Sequence, residues 1–99
     1  MTNVCFFNEM MPKIGNGSIN DFLVDKIDYD KDKVIAYLAN GHKQASCPRD
    51  AIDCVTGEKI SDNFYVFDDK EYCWCSYLAY HIKKYNIQLP KDFIKKIGA

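Results

Sequence analysis

Residues 64–85 form the sequence FYVFDDKEYCWCSYLAYHIKKY, and this stretch decides the fold. It holds eight aromatic residues in 22 positions. Its first part predicts two short strands, 64–67 and 72–74, around the polar turn 68–71. From residue 74 to residue 85 the apolar positions follow helical spacing, which predicts a helix. We predict that this unit is the folding core, and that four of its residues lie inside it: Trp74, Tyr77, Leu78 and Ile82.

The segment before this unit predicts one short N-terminal helix. Loop-forming residues over 12–17 precede Ser18, a residue type that often caps helices. Asp21 follows three residues later, which is close to the capping-box pattern. Apolar residues then recur at helical spacing, so we expect a short amphipathic helix over residues 19–27.

A β-hairpin is expected in the middle of the chain. The apolar run 34–39 favours a strand, and it ends at Asn40-Gly41, which is the strongest short hairpin signal. Further strand and turn signals follow the hairpin. The strands expected in this part of the chain are residues 34–39, 42–47, 51–55 and 59–61.

The last segment predicts a second C-terminal helix that has Pro90 at its first position and is closed by Gly98. Phe93, Ile94 and Ile97 give it one apolar face. The order of elements predicts an α+β fold, because helices that are segregated from hairpins cover one sheet face. We expect a short N-terminal helix, an antiparallel β-meander of about four to five strands and two C-terminal helices packed on the sheet, all in a single domain over residues 1–99.

Length and composition restrict the class of protein. The chain has 99 residues, of which 47% are hydrophobic, enough for one modest core. No segment approaches the ~20 apolar residues of a membrane span, and the N-terminus lacks the features of a signal peptide. Five cysteines without an export signal favour reduced thiols, so we expect a cytoplasmic protein.

Charge is unevenly distributed along the chain, although the net charge is only -1. Residues 1–72 hold 8 basic and 13 acidic side chains, giving -5, whereas residues 73–99 hold 5 lysines and one acid, giving +4. The acidic residues are densest between Asp21 and Asp32. This asymmetry suggests a charged partner.

Zinc binding is one alternative function. Cys73 and Cys75 form a close pair and would point to the same face of a strand. The pair lacks the usual two-residue gap, and buried free cysteines are commoner than zinc ligands. The residues that could complete a site are Cys47, Cys54, His42 and His81.

Nucleic-acid binding and thiol catalysis are further alternatives. The lysines of the C-terminal region could form a basic patch next to Tyr80 and Tyr85, but the pI of about 6.0 opposes general affinity for polyanions. A Cys–His pair has no local catalytic signature here, and His81 on the apolar stripe suits a core histidine. We therefore predict no enzyme activity and no cofactor. The lysines concerned are Lys83, Lys84, Lys91, Lys95 and Lys96.

Residues 63–75, with the segments 78–82 and 89–94, resemble small bacterial immunity proteins. These proteins are paired with toxins of contact-dependent growth inhibition and related polymorphic systems. The resemblance covers about the last 40 residues. It implies a cytoplasmic, non-enzymatic protein that binds a cognate toxin, often a nuclease, and blocks it.

An acidic binding face is compatible with that implication. A nuclease tends to be basic because it attracts phosphates, and an acidic inhibitor face speeds association with it. Aromatic residues suit the centre of such an interface. The residues that we predict to contact the partner are Asp28, Asp30, Asp32, Asp68, Asp69 and Glu71.

Overall fold

The computed structural model describes residues 1–99. Its helices are α1 (Lys31–Ala39), α2 (Tyr77–Lys84) and α3 (Lys91–Ile97), together with a 3-10 helix over Ile19–Asp21. Its strands are β1 (Thr2–Asn3), β2 (His42–Cys47), β3 (Ala51–Ile52), β4 (Lys59–Ser61), β5 (Phe64–Asp68) and β6 (Tyr72–Cys75). No helix has the length and apolar character needed to cross a membrane. The α+β class is confirmed.

The sheets differ from the predicted meander. The main sheet is mixed, with the order β1-β6-β5-β2, and β1 pairs with β6 in parallel. β3 and β4 leave the main sheet and form a separate two-stranded sheet. The meander prediction is therefore wrong: β2 pairs with β5, which is not its neighbour in sequence, and the intervening segment makes its own hairpin.

The strand predicted over residues 34–39 is wrong, because this segment lies in helix α1. Asp30 caps the helix: its Oδ1 accepts hydrogen bonds from the backbone N–H groups of Asp32 at 3.0 Å and Lys33 at 3.2 Å. Val34 and Leu38, four residues apart, bury one side of the helix. A short apolar run fits both a strand and a buried helix, so the run itself could not distinguish them.

Gly41 does not form the predicted hairpin turn. Asn40 ends α1, and Gly41 connects it to β2. A Cβ atom at Gly41 would lie 2.5 Å from Cζ2 of Trp74 and 3.1 Å from Cβ of Phe67. The glycine is therefore required because the backbone passes directly over the indole ring.

The N-terminal helix predicted over residues 19–27 is also wrong in length. The capping box is present, with Ser18 accepting from Asn20 and Asp21 accepting from Ser18, but only the 3-10 helix follows it. Beyond it, the backbone of residues 22–24 bonds to residues 86–88, and this tertiary pairing replaces the helix.

The C-terminal helices are confirmed, with a correction to the start of each. The first begins at Tyr77 and not at Trp74, because Trp74 and Cys75 still pair with β5 and Ser76 bonds to the backbone of Tyr65. The second begins at Lys91, since Pro90 has an extended backbone and occupies the N-cap position, and it ends as predicted at Gly98 in the left-handed conformation with φ 80°. Phe93 of α3 packs on the β6 residues Tyr72 and Trp74.

One apolar core of 22 buried residues joins the sheet and helices. The four predicted core residues are confirmed: Trp74, Tyr77, Leu78 and Ile82 are each at most 2% exposed. The indole N–H of Trp74 donates to the carbonyl of Leu38 at 3.3 Å. The aromatic stretch therefore fills the interior and holds α1 against the sheet.

Candidate functional site

A groove lies at one end of the main sheet, where the α1–β2 connection meets the β5–β6 turn. It has a volume of about 400 Å³. We call it the Asp68 groove, and it is lined by Tyr37, Asn40, Gly41, His42, Asp68, Asp69, Lys70 and Trp74. Two of the six predicted contact residues, Asp68 and Asp69, line it.

Asp69 holds the β5–β6 turn together. Its Oδ2 accepts hydrogen bonds from the Tyr37 hydroxyl at 2.5 Å and from Lys96 at 3.0 Å. Its Oδ1 accepts from the backbone N–H groups of Glu71 at 2.9 Å and Tyr72 at 2.7 Å. Burial alone would raise the pKa of Asp69, but these hydrogen bonds outweigh burial and lower it to about 2. The carboxylate of Asp69 is therefore fully occupied within the fold.

Asp68 has far fewer partners than Asp69. Its side chain is only 8% exposed, and its Oδ1 accepts one hydrogen bond, from the backbone N–H of Lys70 at 2.9 Å. Its Oδ2 has one polar neighbour, Nδ1 of His42 at 3.4 Å, and the His42 side chain is 78% exposed. A carboxylate has about four acceptor positions. Asp68 therefore keeps open acceptor positions beside the groove.

Glu71 lies on the outer side of the same turn and is exposed. It pairs with Lys96 at 2.9 Å, and the same ammonium group contacts Asp69. Lys96 therefore offsets part of the negative charge of this turn, and Asp68 is the carboxylate that has no lysine partner there.

The other three predicted contact residues lie at the opposite end of α1. Asp28 and Asp32 are exposed, while Asp30 is exposed and also caps the helix. Tyr37, which reaches Asp69, lies seven residues beyond Asp30, or about 10 Å along the helix axis at ~1.5 Å per residue. The six predicted residues therefore form two separate groups, one at each end of the helix.

Asp53 is a second buried carboxylate, and the sequence does not distinguish it from the other acidic residues. It is fully buried between the β3–β4 sheet and α2. It accepts hydrogen bonds from the hydroxyls of Tyr80 at 2.9 Å and Tyr85 at 2.8 Å, and from Lys84 at 3.1 Å. We call these four residues the Asp53 cluster. Two backbone N–H groups complete it, from Val55 at 2.8 Å and Thr56 at 3.1 Å.

The charge of Asp53 is stabilised by this cluster. Burial would raise the pKa of Asp53, but the hydrogen bonds from Tyr85, the backbone N–H groups and Tyr80 outweigh it and hold the pKa far below its usual range. No cavity opens beside it, so the cluster joins the small sheet to α2 and has no room for a ligand.

His81 is a bonded core histidine, as the sequence predicts. Its Nδ1–H donates to the carbonyl of Tyr77 at 2.6 Å, and its Nε2 accepts from the backbone N–H of Cys54 at 2.9 Å. A carbonyl can only accept and an amide can only donate, so these partners fix the tautomer. Burial lowers the pKa of His81, which favours the neutral ring.

The thiols are placed for packing. Burial raises the pKa of Cys5 and of Cys54 to about 12 and that of Cys75 to about 11, which disfavours reactive thiolates. Cys73 and Cys75 do share a strand, but no group of three or more His, Cys, Asp or Glu side chains comes together to hold a metal ion. Cys73 instead donates to the side-chain oxygen of Asn3 at 2.9 Å.

No protein-family model, no curated protein and no solved structure matches this chain. What the site can do therefore follows from its own geometry. The Asp68 groove combines a buried carboxylate that has open acceptor positions with the partly exposed ring of Tyr37. That combination suits binding of a cationic group.

Proposed function

We propose that this chain is a non-enzymatic protein-binding module, an immunity protein that binds and neutralises a cognate toxin domain, with a nuclease as the preferred class of toxin. The main support is the distribution of its acidic groups. Acidic side chains lie at both ends of α1: Asp28 and Asp32 are exposed at one end, and at the other Glu71 is exposed while paired with Lys96, and Asp68 borders a groove. An acidic surface of this kind favours a basic partner.

The residues whose side chains could act in catalysis are buried within the fold, which favours a binding function over an enzymatic one. Asp53 and His81 are fully buried and have their hydrogen-bonding positions filled within the fold. The buried thiols have raised pKa values. None of these groups lies beside a second reactive group in a cavity large enough for a substrate.

The alternative of a zinc-binding or nucleic-acid-binding regulator has less support. Lys84 pairs with Asp53, and Lys96 pairs with Asp69 and Glu71. These two lysines are therefore not free to contact phosphates. The basic patch is reduced to Lys83, Lys91 and Lys95, and the zinc alternative has no ligand group to support it.

The proposal places the protein in the cytoplasm, where its toxin would act. Its five cysteines are all unpaired, which suits a reducing compartment.

The proposal is tested by identifying the partner and its toxicity. The tagged chain is captured from cells of its source, and each bound protein is then expressed alone and together with the chain. We expect one bound protein to be basic, toxic alone and harmless when the chain is present. Bound proteins that are never toxic, or toxicity that the chain does not relieve, would contradict the proposal.

The acidic face is tested with the same pair. Replacing Asp28 and Asp32 by Asn and Glu71 by Gln removes three exposed charges, and we expect binding to weaken about tenfold and to depend less on salt. The matched control replaces Asp50 and Asp62 by Asn and Glu58 by Gln, because these three acids are also exposed but lie next to β3 and β4. Equal weakening by the control would show that only net charge matters.

A further inference from the structure

We propose that the Asp68 groove binds the guanidinium group of one arginine from the partner protein, with Asp68 as its acceptor. This inference rests on the proposed function, since it names the group of a basic partner that this chain would recognise. It goes further because it assigns the recognition to one carboxylate and one cavity.

The hydrogen bonding of Asp68 is incomplete within the fold. Its carboxylate is more than nine-tenths buried, and its Oδ2 has only His42 nearby, at 3.4 Å. Hydrogen bonds between charged partners measure about 2.7–2.9 Å, so this contact is long. Apart from this contact, Asp68 accepts only the backbone N–H of Lys70. A buried carboxylate with few donors is unfavourable, and a donor that enters the groove would relieve that cost.

Asp68 differs from the two other carboxylates that the fold holds in place. Asp69 has four donors: Tyr37, Lys96 and two backbone N–H groups. Asp53 has five: two tyrosines, one lysine and two backbone N–H groups. The shortage of donors is therefore confined to Asp68, which lines the groove and has no lysine partner.

The walls of the groove offer one aromatic ring to a ligand. Tyr37 is partly exposed there, whereas Trp74 is buried behind it, and guanidinium groups stack on aromatic rings while their N–H groups bond a carboxylate in parallel. The Tyr37 ring is held in place by its bond to Asp69 and by packing 6.0 Å from Trp74 and 6.1 Å from Phe93, measured between ring centroids. The wall is therefore formed before the ligand arrives.

The open rim of the groove favours a protein side chain over a free small molecule as its ligand. The rim is formed by the exposed residues Asn40, His42 and Lys70, so the groove opens to solvent. Sites for small molecules usually bury ~70–90% of the ligand surface. This groove suits the tip of a side chain whose remainder stays on the partner.

The inference is tested without the partner, by nuclear magnetic resonance titration with N-acetyl-arginine amide. The neutral isostere N-acetyl-citrulline amide is the matched ligand control. We expect saturable shift changes at the backbone amides of Gly41, His42 and Lys70 and at the indole N–H of Trp74. We expect citrulline to bind about tenfold more weakly, because it lacks the charge.

Two variants locate the binding. Asp68→Asn is expected to weaken the arginine probe about tenfold, and Asp62→Asn to leave it unchanged. Asn40→Lys adds a cation at the exposed rim and leaves the core intact, so it keeps the test valid if Asp68→Asn fails to fold. It is expected to weaken the probe several-fold.

Shift changes that do not saturate, that lie outside the groove, that citrulline reproduces or that Asp68→Asn retains would overturn the inference. This failure differs from failure of the proposed function. A chain that neutralises a basic toxin but ignores the arginine probe loses only the groove assignment. A chain that binds the probe but relieves no toxicity keeps the groove and loses the immunity role.

Discussion

Asp53 and Asp68 are both buried carboxylates, yet their surroundings differ. Asp53 accepts from five donors and has no cavity beside it, whereas Asp68 accepts one short hydrogen bond and borders an open groove. Burial by itself therefore does not identify a functional carboxylate. The number of donors supplied by the fold separates a carboxylate that holds the structure together from one available to a partner.

The Asp53 cluster has a clear structural task. Strands β3 and β4 form a sheet of only two strands, which is marginal without support. Asp53 fixes this sheet to α2 through Tyr80 and Tyr85, which lie 27 and 32 residues later in the sequence. The Asp68 carboxylate makes no comparable link between a sheet and a helix, so removal of its charge breaks none.

Among the substitutions considered below, Asp53→Ala is expected to lower the free energy of unfolding the most. It leaves two backbone N–H groups and two tyrosine hydroxyls without their acceptor, so we expect a loss of about 2–5 kcal/mol in the free energy of unfolding. Urea unfolding followed by circular dichroism measures it. The contrast between the two carboxylates fails if Asp68→Ala costs as much.

Gly41→Ala tests whether the backbone really passes over Trp74 at the groove. The new methyl group would meet the indole 2.5 Å away, so we expect a loss of about 1–3 kcal/mol. Gly57→Ala is the control for a glycine without neighbours, since nothing lies near its Cβ position, although its φ of 80° adds strain. A Gly41→Ala protein of unchanged stability would refute the close approach.

Acid should destabilise the protein through Asp53 and Asp69. Both have folded-state pKa values below the unfolded value, so their stabilisation is present above about pH 4 and is lost as the pH falls towards 2. With Asp69→Asn, stability should decrease less steeply with falling pH over this range. Unfolding curves recorded at a series of pH values measure this, and an identical slope in the variant would count against the Asp69 assignment.

His81 should add a second, milder acid effect at higher pH. Burial lowers its folded-state pKa, so its neutral ring supports the fold above the unfolded pKa of ~6.5, and stability falls as the pH drops through that value. His81→Gln removes the titrating group. We expect that variant to lose the decrease between about pH 7 and pH 5, and a decrease of unchanged size would point to another residue.

Asp68→Asn should have the smallest effect on stability. The amide oxygen can still accept from Lys70, and no partner of Oδ2 is left buried, so we expect a change within about 0.5 kcal/mol. The same unfolding measurement applies. A loss comparable with that of Asp53→Ala would assign Asp68 a structural task and remove the distinction between the two regions.

Local patterns predicted much of this fold. β5, β6 and α3 follow from periodicity and from Gly98, and Trp74 lies in the core as its neighbours in sequence suggest. The apolar run of α1 fits a strand as well as a helix, and Asp30 lies in an acidic segment, so the sequence does not reveal its role as a helix cap. The helix over 19–27 was lost to pairing with residues 86–88, which local propensity cannot reveal.

The two carboxylate environments could not be predicted. All acidic residues look alike in the sequence, and the Asp53 donors come from a helix about 30 residues away. A turn pattern is present in the segment Asp53-Cys54-Val55-Thr56-Gly57. It accounts for the two backbone hydrogen bonds to the Asp53 carboxylate but not for those from the tyrosine hydroxyls. Asp68 and Asp69 are adjacent, yet only the fold gives Asp69 a lysine and a tyrosine and leaves Asp68 beside the groove.

The central claim is that Asp68 serves binding and not stability, and calorimetric titration of the captured partner onto Asp68→Asn tests it most directly. We predict about tenfold weaker binding, or ~1.4 kcal/mol, while Asp62→Asn binds like the unchanged chain and both variants unfold at the same urea concentration. Unchanged affinity for Asp68→Asn, or weaker binding that is accompanied by an equal loss of stability, would contradict the claim.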